Sequence, residues 1–152
     1  MKNNNEVYRI IDANLNRSRE GIRVIEDFVR FVMNDADVAV KIKNLRHGLD
    51  IISRKAYPKI IMNRNSHNDV FRDSKESCRK TALSVFLSNV KRVEESLRTL
   101  EEFSKVFSDT AGYRFKKIRF KIYDIEKEVI SNYASNRKRC KKTADKRDER
   151  GS

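Results

Sequence analysis

Two stretches of the chain carry the same polar phrase. Residues 14–32 read NLNRSREGIRVIEDFVRFV, and residues 89–107 read NVKRVEESLRTLEEFSKVF. Both fit N-x-x-R-x-x-E-x-x-R-x-x-E-[DE]-F. Asn14, Arg17, Glu20, Arg23, Glu26 and Asp27 thus match Asn89, Arg92, Glu95, Arg98, Glu101 and Glu102. A duplication kept only to build a core needs matching apolar positions, and here the charged and amide positions match too. Guanidiniums bind anions and carboxylates hold cations or move protons. At about 100° per residue, a spacing of three walks these groups slowly round a helix. Asn14 falls within the breadth of the apolar stripe formed by Leu15, Ile22, Ile25 and Val29, and Arg17 borders it, where an unpartnered polar group is costly. An arginine of one copy paired with a glutamate of the other would satisfy both. The bland alternative is a set of i,i+3 surface ion pairs, and it fits Glu26, Arg30 and Lys105 best.

The elements that must position these groups are helical. Apolar residues at 15, 22, 25, 28, 29 and 32 follow helical spacing. Upstream, Val7, Ile10 and Ile11 enter this helix either directly or after a break capped by Asp12 or Asn14. NDAD at residues 34–37 stops it and starts the next, which runs on Val38, Ile42, Leu45, Leu49 and Ile52. Residues 58–73 have no apolar period and are expected to be irregular. A long third helix should begin near Ser74 or Ser77, and a fourth carries Phe115, Ile118, Ile122, Ile125 and Val129. KNLRHGLDII at 43–52 aligns with KKIRFKIYDI at 116–125, at an offset of 73 instead of 75, so two residues are lost from the second turn. The expected fold is all-α, an antiparallel bundle of two pseudo-symmetric helix hairpins. The bundle should occupy 6–133, with 134–152 a basic, structureless tail.

Composition narrows the function. The chain has 152 residues and a formal net charge of +13, so an anionic partner is expected: nucleic acid, a membrane surface or a phosphorylated small molecule. The tail carries eight Lys and Arg against three Asp and Glu, which leaves the bundle basic in its own right. No apolar run suits a bilayer span or a signal peptide, so the expectation is a cytoplasmic protein without a membrane. Cys78 and Cys140 suggest free thiols, one semi-buried and one in the tail. His47 suits packing, because its counterpart is Phe120. His67 suits a solvated loop position. Gly21, opposite Ser96 in the repeat, marks close helix packing.

RIIDANLNRSREGIRVIEDFVRF at 9–31, with NVKRVEESLRTLEEFSK and FKKIRFKIYDIEK further on, resembles a helical family of thiamin biosynthesis. This is the alternative hydroxymethylpyrimidine-phosphate kinase, found alone or as an N-terminal extension of thiamine-phosphate synthase. The likeness covers roughly residues 7–130. It implies phosphorylation of hydroxymethylpyrimidine monophosphate to the diphosphate, with ATP as co-substrate and Mg2+, and thiamine-phosphate synthase as a partner. A homodimer would follow if one bundle cannot enclose two phosphorylated ligands. Where the family has an Asp-Val-Gly turn, this chain has Asp69-Val70-Phe71.

The four glycines, Gly21, Gly48, Gly112 and Gly151, are isolated, so glycine-built phosphate cradles are not expected. Arginine forks must bind the phosphates instead. The phosphate and substrate candidates are Asn14, Arg17, Arg23, Arg46, Arg64, Asn89, Arg92 and Arg98. The catalytic carboxylates would be Glu20, Asp27 and Glu95, with Asp69 a magnesium ligand. Two other classes compete. One is a non-catalytic module that binds the pyrimidine phosphate or the synthase. The other is a basic helical nucleic-acid-binding protein, although acidic residues interrupt every basic helix face.

Overall fold

The computed structural model describes residues 4–70, 73–75 and 78–148, with the side chains of 137–148 outside that description. Phe71 and Ser77 lie outside it too. The described residues form an all-α bundle: α1 (Asn5–Phe28), α2 (Ala36–Ser53), a short α3 (Tyr57–Met62), α4 (Ala82–Ser104) and α5 (Asp109–Asp148).

The duplication is visible in the packing. α1 and α4 run antiparallel, with Tyr8 stacked on Phe107 at one end (centroids 4.6 Å) and Phe28 against Phe86 at the other (4.8 Å). Midway, the Ser18 and Ser96 hydroxyls lie 2.7 Å apart. Gly21 packs on Val93 so closely that a Cβ would sit 2.5 Å from the Val93 methyl. Ser96 is the counterpart of Gly21, and Val93 is the counterpart of Ser18. Exchanging the halves therefore turns one contact into the other, and the helices cross on a pseudo-two-fold axis. α2 packs on α1, α5 on α4, and α2 on α5. The core of Ile22, Ile25, Ile42, Leu49, Phe86, Leu97, Leu100 and Ile122 is sealed between them.

The turn explains the change of offset. After α1 a single wide turn, Val29–Met33, leads to Asn34 in the left-handed region (φ 54°), a conformation that asparagine tolerates. Asp35 then caps α2, its carboxylate accepting from the Val38 amide at 3.1 Å. α2 begins at residue 36 and α5 at residue 109, so the two extra residues of the first copy lie in this turn.

Several boundaries differ from the sequence reading. α1 is unbroken through Asp12 and Asn14, because Arg64 holds the Asp12 carboxylate and the Asn14 side chain bonds back to the Ile10 carbonyl of its own helix. Residues 58–73 are not wholly irregular: α3 forms with Pro58 in its first turn, where a missing N–H costs nothing, and Ile60 is buried. α4 starts at Ala82, after a capping box in which Thr81 and Ser84 exchange hydrogen bonds of 3.0 and 3.1 Å. α5 continues helical to Asp148 through the segment expected to be structureless. No proline or glycine interrupts it there, and Lys and Arg are good helix formers. His47 is exposed, because it faces away from the Ile42–Leu45–Leu49 stripe. Cys78 is exposed in the segment before α4.

Candidate functional site

A polar groove lies along the first half of α1. Its anchor is Asp12, only 6% exposed. Arg64, just beyond α3, grips it with two hydrogen bonds, Nε to Oδ2 at 2.7 Å and Nη2 to Oδ1 at 2.6 Å. This charge-assisted fork is strong and directional, and it raises the already high pKa of the guanidinium. It fastens the following loop over α1. Within that loop the Asn65 side chain accepts from the Asn68 amide at 3.3 Å.

The resulting groove has a volume of about 920 Å³, and its lining includes Arg9, Asn14, Arg17, Arg64, Asp69 and Thr99. Three guanidiniums thus share one concavity with the amides of Asn16, Asn65 and Asn68. The Asn14 side chain donates to the Ile10 carbonyl at 2.8 Å, which fixes its rotamer. Asn89 makes the equivalent bond to Val85 at 2.9 Å. Glu20 is exposed just beyond the groove, and its charge reaches Arg64. The second half differs in the residues that build this groove: Leu87 stands where Asp12 does, and α5 continues as a helix where α2 ends and the chain turns back.

Four of the sequence candidates therefore come together here: Asn14, Arg17, Arg64 and Asp69. Arg23 and Arg46 lie apart, in a separate groove of about 790 Å³ between α1 and α2. Both are tied to Glu26, which is 3% exposed: Arg46 Nε donates at 3.2 Å and Arg23 Nη1 at 3.4 Å. Asp27 sits between Arg23 (3.4 Å) and Arg30 (3.7 Å). Arg92 and Glu95 are exposed on α4, and Arg98 pairs with Glu101 (2.9 Å) and Glu102 (2.8 Å).

The Glu26 cluster has a twin. Glu101, also 3% exposed, accepts from Arg98 at 2.9 Å and from Arg119 Nε and Nη2 at 3.2 and 2.7 Å. Arg119 is the counterpart of Arg46. Each half thus buries one glutamate between an arginine of its own helix and one of its hairpin partner. The pairing is within halves, not across them as the sequence suggested. Glu26 is no surface residue, and Glu101 and Arg119 were missed. The usable signal was that Arg46 and Arg119 recur at offset 73 just as the glutamates recur at 75.

Among the described residues, no three His, Cys, Asp or Glu side chains gather as a metal cluster, and no helix is long and apolar enough to cross a membrane. No solved structure matches the chain significantly. Among curated proteins, it is 36% identical over 129 residues to the thiamine-phosphate synthase of Nostoc punctiforme, covering 83% of this chain and 36% of that one. To the thiamine-phosphate synthase of Prochlorococcus marinus strain AS9601 it is 37% identical over 128 residues, covering 82% and 36%. That of Synechocystis is 31% identical over 132 residues, covering 83% and 37%. The chain spans about a third of the length of these relatives. The shared part is the repeated bundle itself, for the model of one family matches residues 9–128, from the groove arginine Arg9 to the last turns that pack on α2, and the chain belongs to that family, the ThiD2 family.

Proposed function

We propose that the chain acts in thiamin biosynthesis as an ATP-dependent kinase that converts hydroxymethylpyrimidine monophosphate to the diphosphate. The observation that carries this reading is the α1 groove, where Arg9, Arg17 and Arg64 surround one concavity beside Asn16, Asn65 and Asn68. Guanidinium forks match phosphate oxygens, and side-chain amides match ring nitrogens and an exocyclic amine. In the reaction a phosphate oxygen of the monophosphate attacks the γ-phosphorus of ATP. The bond from that phosphorus to the bridging oxygen breaks, and ADP leaves. Arginines can supply the charge stabilisation such a transfer needs. Arg64 is held by Asp12, while Arg17, exposed on α1, would follow the moving charge. The groove's donor set fits magnesium, which takes one or two carboxylates and otherwise phosphate oxygens and water. Asp69, which lines the same groove, would hold it. Magnesium would neutralise the charge on the nucleotide phosphates. The diphosphate would pass to thiamine-phosphate synthase, and the occurrence of this segment within chains of that name supports the link.

The test is ADP release from Mg-ATP with the monophosphate, beside the unphosphorylated alcohol. Turnover with the monophosphate is expected, and Arg17→Ala should lower kcat/KM by about 100-fold, the scale of one lost charge-stabilising donor. A folded protein that binds the monophosphate yet releases no ADP would sink the kinase reading in favour of a binding module.

A further inference from the structure

The outer face of α5 is unlike that of its pseudo-symmetric partner α2. Tyr113, Phe120 and Tyr123 stand out from it, 57%, 51% and 37% exposed. Their spacing of seven and three places them on one side of the helix, two turns and then one turn apart. The equivalent positions of α2 hold Val40, His47 and Asp50. Both hairpins share the buried glutamate–arginine triad, yet only α5 adds an aromatic row in front of it.

Cations hold these rings in place. Lys117 Nζ lies 4.6 Å from the centroid of Tyr113. The Arg119 guanidinium lies 5.3 Å from that of Phe120 and 5.6 Å from that of Tyr123, close enough for cation–π attraction. Its Nη1 donates to the Tyr123 hydroxyl at 2.7 Å, and Glu101 anchors the same guanidinium from the core side. Phe120 meets Tyr123 edge-on, with centroids 5.7 Å apart. Rings fixed from behind lose little freedom when a ligand stacks on them. By helical position, Lys116 and Lys127 fall within the row, and Lys117 flanks it together with Asp124; all four are exposed. The same helix continues to Asp148, and residues 137–148 add seven Lys and Arg against two Asp.

The pattern selects among polyanions. A lipid surface calls for a continuous apolar helix face, and here lysines interrupt the rings. A duplex keeps its bases stacked inside, away from the rings. A single strand offers both a free base face and a phosphate at each nucleotide, which suits rings interleaved with cations. We infer that the outer face of α5 binds single-stranded nucleic acid. Bases stack on Tyr113 and on the Phe120–Tyr123 pair, and phosphates meet Lys116 and Lys127. The site does not rest on the kinase reading. The α1 groove is built from α1, the loop after α3 and Thr99 of α4, so the two surfaces are separate.

The probe is a fluorescently labelled uridine oligomer of about twelve nucleotides, the scale of known single-strand sites. It is titrated with the full chain at several salt concentrations and read by anisotropy. Saturable binding that weakens steeply with salt is expected. The matching thymidine oligomer should bind too, because neither stacking nor charge reads the 2′-hydroxyl. Phe120→Ala should weaken the uridine oligomer about tenfold, with the slope against log salt and the affinity for duplex RNA unchanged. Lys116→Gln should instead lower that slope by about one. Both side chains are exposed, so neither variant should shift the unfolding temperature. His47→Ala, at the counterpart of Phe120, and Arg17→Ala, in the groove, should leave binding as it was. Absence of saturable binding, full affinity in Phe120→Ala, an equal loss for the duplex, or loss of binding in Arg17→Ala would each overturn the assignment. Tighter capture by phosphatidylglycerol vesicles, weakened by Phe120→Ala, would overturn it in favour of a membrane surface.

Discussion

At the scale of single residues, two of the repeated charges are structural. Glu26 and Glu101 are buried and satisfied by arginines, so they brace each hairpin. Removing one member of a buried ionic cluster strands its partners, at a cost of about 3–5 kcal/mol. Glu101→Ala should approach the lower end of that range in urea unfolding. Glu26→Ala should cost less, because Arg46 (21% exposed) is wetter than Arg119 (12%) and holds its glutamate by one hydrogen bond instead of two. Equal losses would show that the triads are not graded by burial. A third carboxylate behaves differently. Glu94 has one oxygen buried without a hydrogen-bond partner. Desolvation raises its pKa above the ordinary 4.5, Lys91 opposes the shift, and nearby Glu126 adds to it. A carboxyl raised in the folded state binds its proton more tightly there, so stability falls as pH climbs above 4.5. Glu94→Gln should therefore be more stable than the parent at pH 7, and the difference should shrink below pH 4.5. A difference that grows in acid would reverse the sign and reject this account.

At the scale of elements, the α1–α4 crossing sets the geometry. Gly21 is needed because a Cβ would meet Val93 at 2.5 Å, with the Asn89 carbonyl 3.5 Å away. Gly21→Ala should lower stability by about 1–3 kcal/mol through overpacking. Val93→Ala in the same chain should restore part of it, which thermal unfolding of the double variant would measure. Additive losses in the double variant would mean that the two residues do not share one contact. Gly112 plays a comparable part at the second hairpin, where a Cβ would sit 2.8 Å from the Glu101 carbonyl. Hairpin contact at that point holds Glu101 and Arg119 in register.

At the scale of the whole molecule, a near-symmetric scaffold carries asymmetric features. α2 breaks where α5 continues, and the released chain folds back as α3 to build the groove around Arg64. Among the residues whose side chains are described, Tyr133 is the last of α5 packed against the core. Truncation after Asn136 should therefore shift unfolding by no more than about 0.5 kcal/mol, the range of surface changes. A larger loss would place the basic extension of α5 within the folding unit.

The sequence by itself determined the four main helices, the pseudo-symmetry and the family, because helical periodicity is local and a duplicated motif survives without coordinates. Close packing at Gly21, and the loss of two residues from the second turn, were legible for the same reason. Tertiary structure alone decided which polar residues meet. Asp12 and Arg64 lie far apart in sequence and join only because α3 turns the chain back. Glu26 finds Arg46 only once α2 packs on α1. Burial also belongs to the assembled molecule: Glu20 and Glu26 are equivalent letters in the repeat, yet one faces water and the other lies between two helices. The cavity of about 260 Å³ lined by Ile11, Ile60 and Phe107 was invisible for that reason as well. A void is the difference between side-chain volume and the space the helices leave, and only the packed bundle sets that space.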